Sequence, residues 1–185
     1  MNQHLIIAVV GLIGSGKTEA TARFVARGFA RVGFNDPVYE ELERRGLERN
    51  EKNERMVREG LRKEDGMGVM AIRSLPRVEA AFAQGQKVVV ESLYSWEEYK
   101  IMRERFGDRF RVVAIFGPPE KRYDRLAIRP VRPLDREAAK TRDYSQIENL
   151  NQAGPIAMAD WLIPNIADDK EKFFYLVDKL IDGIL

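Results

Sequence analysis

Residues 11–18 read Gly11-Leu12-Ile13-Gly14-Ser15-Gly16-Lys17-Thr18, the Gly-x-x-x-x-Gly-Lys-Thr spacing of a P-loop, and their flanks constrain the fold more tightly than any other part of the chain. Before them, residues 5–10 (LIIAVV) form a short continuous apolar run rich in branched side chains, the pattern of a strand buried on both faces. After them, residues 17–27 carry Ala20, Phe24 and Ala26 on a helical period, and Gly28 stops the helix. A strand, a glycine loop and a helix in this order turn successive backbone N–H groups around a phosphate at the positive end of the helix dipole. The ligand implied is a nucleoside triphosphate. Gly11, Gly14, Ser15 and Gly16 form its cradle, Lys17 reaches the β- and γ-phosphates, and the Thr18 hydroxyl goes to Mg²⁺.

The rest of the chain continues the alternation. Residues 29–34 predict a second strand, residues 87–91 (KVVVE) and 111–116 (RVVAIF) two more buried ones, and residues 161–164 a short last one. Helices are expected at residues 96–105, 120–129, 135–151 and 169–184, with Gly117-Pro118-Pro119 and Pro130 closing the elements before them. Residues 39–65 are dominated by charge, with sparse apolar positions at Leu42, Leu47, Met56, Val57 and Leu61, and predict two exposed helices. Residues 67–84 predict a more apolar helix that Pro76 bends or divides. Strands alternating with helices imply an α/β fold in three layers, with a parallel sheet, helices on both faces and ligands at the carboxyl ends of the strands. No repeat or low-complexity linker divides residues 1–185, which are read as one domain.

Composition excludes several functions. Thirty-one basic and 29 acidic groups leave a net charge of +2, a field too weak to argue for a nucleic-acid partner. The absence of cysteine removes disulfides, thiolate zinc sites and cysteine nucleophiles, and fits a reducing compartment. His4, the sole histidine, precedes the first strand and reads as a terminal residue, not a ligand. The opening residues lack a Lys/Arg-led leader, and no apolar run approaches the ~18 residues of a membrane span, so a cytoplasmic protein without a membrane partner is expected. The sequence carries no signal for oligomeric state.

A P-loop is shared by kinases, GTPase switches and ATP-driven machines. No Asn-Lys-x-Asp stretch is present, and the Asp-x-x-Gly match from Asp65 to Gly68 follows a charged helix instead of a strand, which argues against a signalling GTPase. Between residues 121 and 142 lie Arg122, Arg125, Arg129, Arg132, Arg136 and Arg142. Pro130 and Pro133 place Arg129 and Arg132 at a turn between two helices, a mobile cap able to close over triphosphate charge. Arginine suits this task because its planar fork makes bidentate phosphate contacts and keeps its charge. The alternative is a solvated basic helix pair with ion pairs to Asp124, Asp135 and Glu137.

Over most of its length the chain resembles the adenylate-kinase-like small-molecule kinases, and within them dephospho-CoA kinase and archaeal-type nucleotide kinases. GLIGSGKT is similar to that family's GxxGSGKS, Asp36 stands near the end of the second strand where the family has an acidic residue, and Ala157 to Asn165 looks like its alanine-aspartate segment leading through a strand to asparagine. The resemblance implies a parallel five-stranded sheet, ATP with Mg²⁺ as phosphate donor, a helical lid at about residues 120–145, and an acceptor held against helices at about residues 37–84. It suggests Asp36 as base or acceptor orienter, Arg58 or Arg62 on the acceptor's own phosphate, and Asn165 near the adenine. Two departures stand out. Phe34 and Asp36 occupy places where dephospho-CoA kinases usually have two aspartates, and Glu91 replaces an aspartate that helps hold Mg²⁺ through water.

Each residue also has a plainer reading. Asp36 beside Pro37 suits a helix N-terminus, Glu91 suits a strand-end charge, and Tyr94, Trp96 and Tyr99 suit packing as well as stacking on an acceptor base. The leading expectation is transfer of the ATP γ-phosphate to a nucleotide-like acceptor, a nucleoside monophosphate or dephospho-CoA. Lys17, Arg129 and Arg132 would stabilise the migrating group, Arg125 would hold the donor, and Thr18 and Glu91 would place the metal, Glu91 serving the metal or the acceptor. The competing reading is a regulatory or accessory NTPase that hydrolyses ATP and binds a protein partner through residues 39–65.

Overall fold

The computed structural model describes residues 5–167 and 169–185, so His4 lies outside the described residues. Strands β1 (Ile6–Val10), β2 (Ala30–Gly33), β3 (Val88–Glu91), β4 (Phe110–Phe116) and β5 (Trp161–Pro164) form one parallel sheet in the order β2-β3-β1-β4-β5. The apolar runs are central because both faces are covered: every residue of β1 is fully buried.

Side chains alternate across the sheet and create two cores. Ile7 and Val9 join Ala20 and Phe24 of α1 (Lys17–Ala26) and Phe173, Val177 and Ile181 of α9 (Lys170–Ile184) on one face. Ile6, Ala8 and Val10 face the other side. There they meet α2 (Asp36–Arg44), α3 (Glu51–Asp65), α4 (Val69–Ala83) and α5 (Trp96–Phe106) through residues such as Leu42, Leu61, Met70 and Met102. The result is the three-layer α/β architecture expected of a P-loop protein. Above the sheet, α6 (Pro119–Ala127) and α7 (Arg136–Glu148) pair through Tyr123, Leu126 and Ala139, with Ile13 of the glycine loop against them.

Because β1 lies between β3 and β4, successive crossovers leave it in opposite directions and open a crevice at its carboxyl end. That crevice holds residues 11–18.

Two local expectations change. Pro76 does not divide its helix: α4 runs unbroken from Val69 to Ala83. The proline removes the helical donor for the Ile72 carbonyl, and Ile72 is half-exposed, so water can take the donor's place. A short helix, α8 (Ala153–Ala157), follows α7 and has no counterpart in the sequence reading, being too brief to show a helical period. Its Gly154 passes so close to Trp96 that an added Cβ would come within 2.7 Å of the indole. Trp96 in turn stacks on Tyr99 with centroids 4.9 Å apart, which makes both rings packing elements.

Phe24 is fully buried and meets Phe29 edge-on at 5.1 Å. Phe24→Ala is expected to lower the unfolding free energy by about 3–5 kcal/mol, measured by chemical denaturation.

Candidate active site

The glycines of the loop are dictated by space as well as by conformation. Gly11, Gly14 and Gly16 have φ of 145°, 75° and 104°, and an added Cβ would stand 2.5 Å from the Ile115 carbonyl oxygen, 2.8 Å from that of Arg122 and 2.6 Å from Asn165 Nδ2 respectively. Behind the loop, side chains from distant parts of the chain hold its carbonyls. Gln152 Nε2 donates to Gly11 O at 3.0 Å, Arg122 Nη1 to Ile13 O at 2.8 Å, and Asn165 Nδ2 to Ser15 O at 2.8 Å. With these carbonyls bound from behind, the loop has the cradle form that admits a phosphate. Ser15 Oγ is buried without a hydrogen-bond partner among the described residues, and neither Ser15 nor Gly11 lines the cavity in front of the loop.

Arg122 is buried and does not belong to the mobile cap suggested by the arginine cluster. Its guanidinium makes a bidentate pair with Asp143 of α7 at 2.8 and 2.6 Å, its Nε donates to Gly117 O at 2.8 Å, and the Tyr123 hydroxyl also donates to Asp143 at 2.8 Å. The chain needed an internal acid at the right height to bury this charge, and Asp143 supplies it.

Lys17 is half-buried, with Nζ donating to Leu12 O at 3.0 Å. Desolvation, followed by the charges of Arg122 and Arg142, lowers its pKa to about 8, against smaller opposing effects of Glu91 and Asp143. Thr18 is exposed beside it at the start of α1.

From the loop a single cavity of about 1660 Å³ extends to α3, and among the described residues ten basic and five acidic side chains line it. Gly14, Gly16, Lys17, Thr18, Arg58, Arg62, Arg125, Arg129, Arg132 and Asn165 all reach it, so most of the sequence-predicted site converges there. Several of these cations are engaged with the protein itself. Arg132 bridges the cavity from the loop joining α6 and α7 to α3, contacting Glu54 at 2.8 and 3.2 Å and Glu51 at 3.1 Å. Arg129 turns onto the carbonyls of Val131 and Arg132 in its own loop. Arg125 donates to Asn165 O and Ala167 O, each at 3.0 Å. Arg58 and Arg142 each lie 3.7 Å from Glu51, and Arg62 lies 3.8 Å from the fully buried Glu98.

Asp36 and Glu91 do not line the cavity. Asp36 Oδ2 accepts the Gly33 N–H at 3.1 Å and stands 3.8 Å from Arg31, while Glu91 accepts from Arg31 Nε at 2.8 Å. The adjacent Asn35 faces the cavity in their stead, together with Tyr94, and its amide donates to Ser92 Oγ at 3.2 Å. Ser92 has a positive φ of 67°, a costly conformation for a non-glycine residue at the end of β3. Sequence reading passed over Asn35 because the neighbouring carboxylate drew the assignment. Asp143, Gln146, whose Oε1 accepts the Ile13 N–H at 3.3 Å, and Gln152 were missed because nothing in local spacing ties them to a loop over a hundred residues away.

Three layers around a parallel five-stranded sheet, with a glycine loop at the switch point, define this chain as a protein of the P-loop NTPase fold. Residues 7–149 match the family model described as AAA domain. The chain belongs to the UPF0200 family: it is 33% identical over 184 residues to a UPF0200 protein of Thermococcus kodakarensis, covering 98% of both chains. Among solved structures it is similar to shikimate kinase from Bacteroides thetaiotaomicron, with a TM-score of 0.60 and 15% identity over 97% of this chain and 98% of that one. It is similar also to dephospho-CoA kinase from Campylobacter jejuni, with a TM-score of 0.59 and 17% identity over 97% and 96%. These likenesses show a shared fold and do not single out the dephospho-CoA kinases. Among the described residues, no helix is long and apolar enough to cross a membrane.

Two outcomes follow from this geometry. A bound phosphate raises the Lys17 pKa from about 8, so triphosphate affinity is full below that pH. Above pH 8 it should weaken by up to about tenfold per unit, and Lys17→Arg should flatten the slope, as read by equilibrium binding across pH. Asp143→Ala strands the Arg122 charge in the interior and should cost about 3–5 kcal/mol in denaturant unfolding.

Proposed function

We propose that this protein is an ATP-dependent small-molecule kinase that transfers the γ-phosphate to a nucleotide-like acceptor. The observation that carries this reading is the cavity. It exceeds the roughly 300–1,000 Å³ of a site for one small ligand, and it has cationic side chains both at the P-loop and on α3. A triphosphate on the loop leaves the α3 half open for a second anionic molecule.

The loop N–H groups and Lys17 bind the β- and γ-phosphates, with Lys17 exchanging the Leu12 carbonyl for phosphate oxygen. The residues present fit Mg²⁺ as well. Thr18 offers its hydroxyl at the cavity wall, and among the described residues no cluster of three or more His, Asp or Glu forms a dedicated metal cage, in keeping with a cation held largely by phosphate and water. Bound there, Mg²⁺ supplies neutralisation of charge on the β- and γ-oxygens. Glu91 stands behind Lys17, where a water-mediated contact would require it to leave Arg31.

Arg132 and Arg129 are the mobile cations in this reading. Arg132 is partly exposed in its pairs with Glu51 and the buried Glu54, and it exchanges toward a triphosphate of higher charge. Arg125, Asn165, Ala167 and Phe173 border the donor end, where Arg125 orders the segment after β5. Arg58 and Arg62 hold the acceptor. Catalysis is then mainly positioning and charge stabilisation.

The test is ADP formation from ATP and Mg²⁺ with and without a panel of nucleoside monophosphates and dephospho-CoA, products being identified by mass. Turnover is expected to depend on the acceptor, and Lys17→Ala is expected to reduce it by about 10²–10³-fold or more. ADP and inorganic phosphate at a rate indifferent to every acceptor would instead support a regulatory NTPase.

A further inference from the structure

We infer that the acceptor is a phosphomonoester whose own phosphate oxygen is the nucleophile, so that the product is a phosphoanhydride and not a new ester. This rests on the kinase reading above and specifies its substrate class.

The distinction turns on one proton. An alcohol must lose its O–H proton as the new O–P bond forms, and enzymes that phosphorylate hydroxyls place a carboxylate to receive it. A phosphomonoester, whose second pKa is about 6, already offers an unprotonated oxygen at neutral pH. The carboxylates of this chain are arranged for the second case. Asp36 and Glu91, at the carboxyl ends of β2 and β3, both turn onto Arg31, at 3.8 and 2.8 Å, and neither lines the cavity. From the ends of these two strands the cavity is lined instead by Asn35, whose amide is not a base, and by Tyr94, whose phenol is pushed up by burial.

Elsewhere in the cavity, carboxylates are paired with arginine: Glu54 and Glu51 with Arg132 at 2.8 and 3.1 Å, Glu59 with Arg55 at 2.7 Å, and Asp124 with Arg136 at 2.6 Å. Glu19 also lines the cavity, exposed on the first turn of α1 beside Thr18. Among the described residues, no cavity-lining carboxylate stands at the carboxyl end of β2 or β3.

On α3, one buried cation also has an incomplete set of partners. The Arg62 side chain is only 9% exposed, lines the cavity, and has an Nε without a hydrogen-bond partner. Glu98 stands 3.8 Å away, its Oε1 likewise without a hydrogen bond and its other oxygen taken by the N–H groups of Tyr94 and Ser95, and Glu59 adds a weaker attraction. A buried guanidinium with an unmade hydrogen bond is costly, and a phosphate dianion held by Arg58 and Arg62 completes it.

In the resulting step an acceptor phosphate oxygen attacks the γ-phosphorus and forms the new P–O–P linkage. The bond from that phosphorus to the β,γ-bridging oxygen breaks, and ADP leaves with the electron pair. No proton moves.

The wild-type protein is given ATP, Mg²⁺ and, separately, nucleoside 5′-monophosphates, the parent nucleosides, dephospho-CoA and ribose 5-phosphate, with products read by phosphorus NMR and mass. The expected result is a new anhydride signal with monophosphates, at rates at least about 100-fold above those with the nucleosides and dephospho-CoA. An anhydride on ribose 5-phosphate also supports the inference and extends the acceptor beyond nucleotides. A new ester on a nucleoside or on dephospho-CoA at a comparable rate overturns it while leaving the kinase reading standing. ADP and inorganic phosphate alone, whatever the acceptor, overturns both.

Discussion

Everything at this site depends on the carbonyls of residues 11–15 being held from behind. A peptide chain this tightly turned must aim its N–H groups and carbonyls in different directions, and the carbonyls need partners if they are not to compete for the space of a phosphate. Gln152, Arg122 and Asn165 supply them, from α8's approach, α6 and the end of β5. Each such bond is worth only about 1 kcal/mol net. Their collective effect is larger, because the Arg122–Asp143 pair ties the loop to both helices above the sheet, each charge offsetting the cost of burying the other.

The same economy of charge governs the cavity. Its arginines do not wait unpaired: Arg132 is bound to Glu54 and Glu51 across the opening, Arg129 to its own loop and Arg142 close to Glu51. Such partly exposed pairs hold a loop in place while remaining weak enough to exchange. The exception is Arg62, whose buried Nε has no partner, and it lies on the acceptor side.

Fold likeness alone does not separate these chemistries. Shikimate kinase and dephospho-CoA kinase share this three-layer frame at 15% and 17% identity, and function lies in the groups mounted on the frame. The turn after β2 decides much here. One step along the chain, from Asp36 to Asn35, exchanges a carboxylate for an amide at the cavity wall, because α2 begins at that point and directs neighbouring side chains apart.

The strand, glycine loop and helix at residues 5–27, the remaining strands, and most of the helices were determined by sequence alone, since hydrophobic period and glycine placement act through short-range sterics and burial. So was the placing of Lys17, Thr18 and the arginines at 129 and 132 in turns that line one cavity, because prolines and glycines set those turns locally. Only the tertiary structure decided that Arg122 is internal, that Asp36 and Glu91 face Arg31, and that Asn35 faces the cavity. Those choices depend on partners brought together by sheet order, such as Arg122 with Ile13 across 109 positions and Asn165 with Ser15 across 150. Local spacing sets where a backbone turns, but which charge a side chain meets is fixed by the packing of elements distant in the chain.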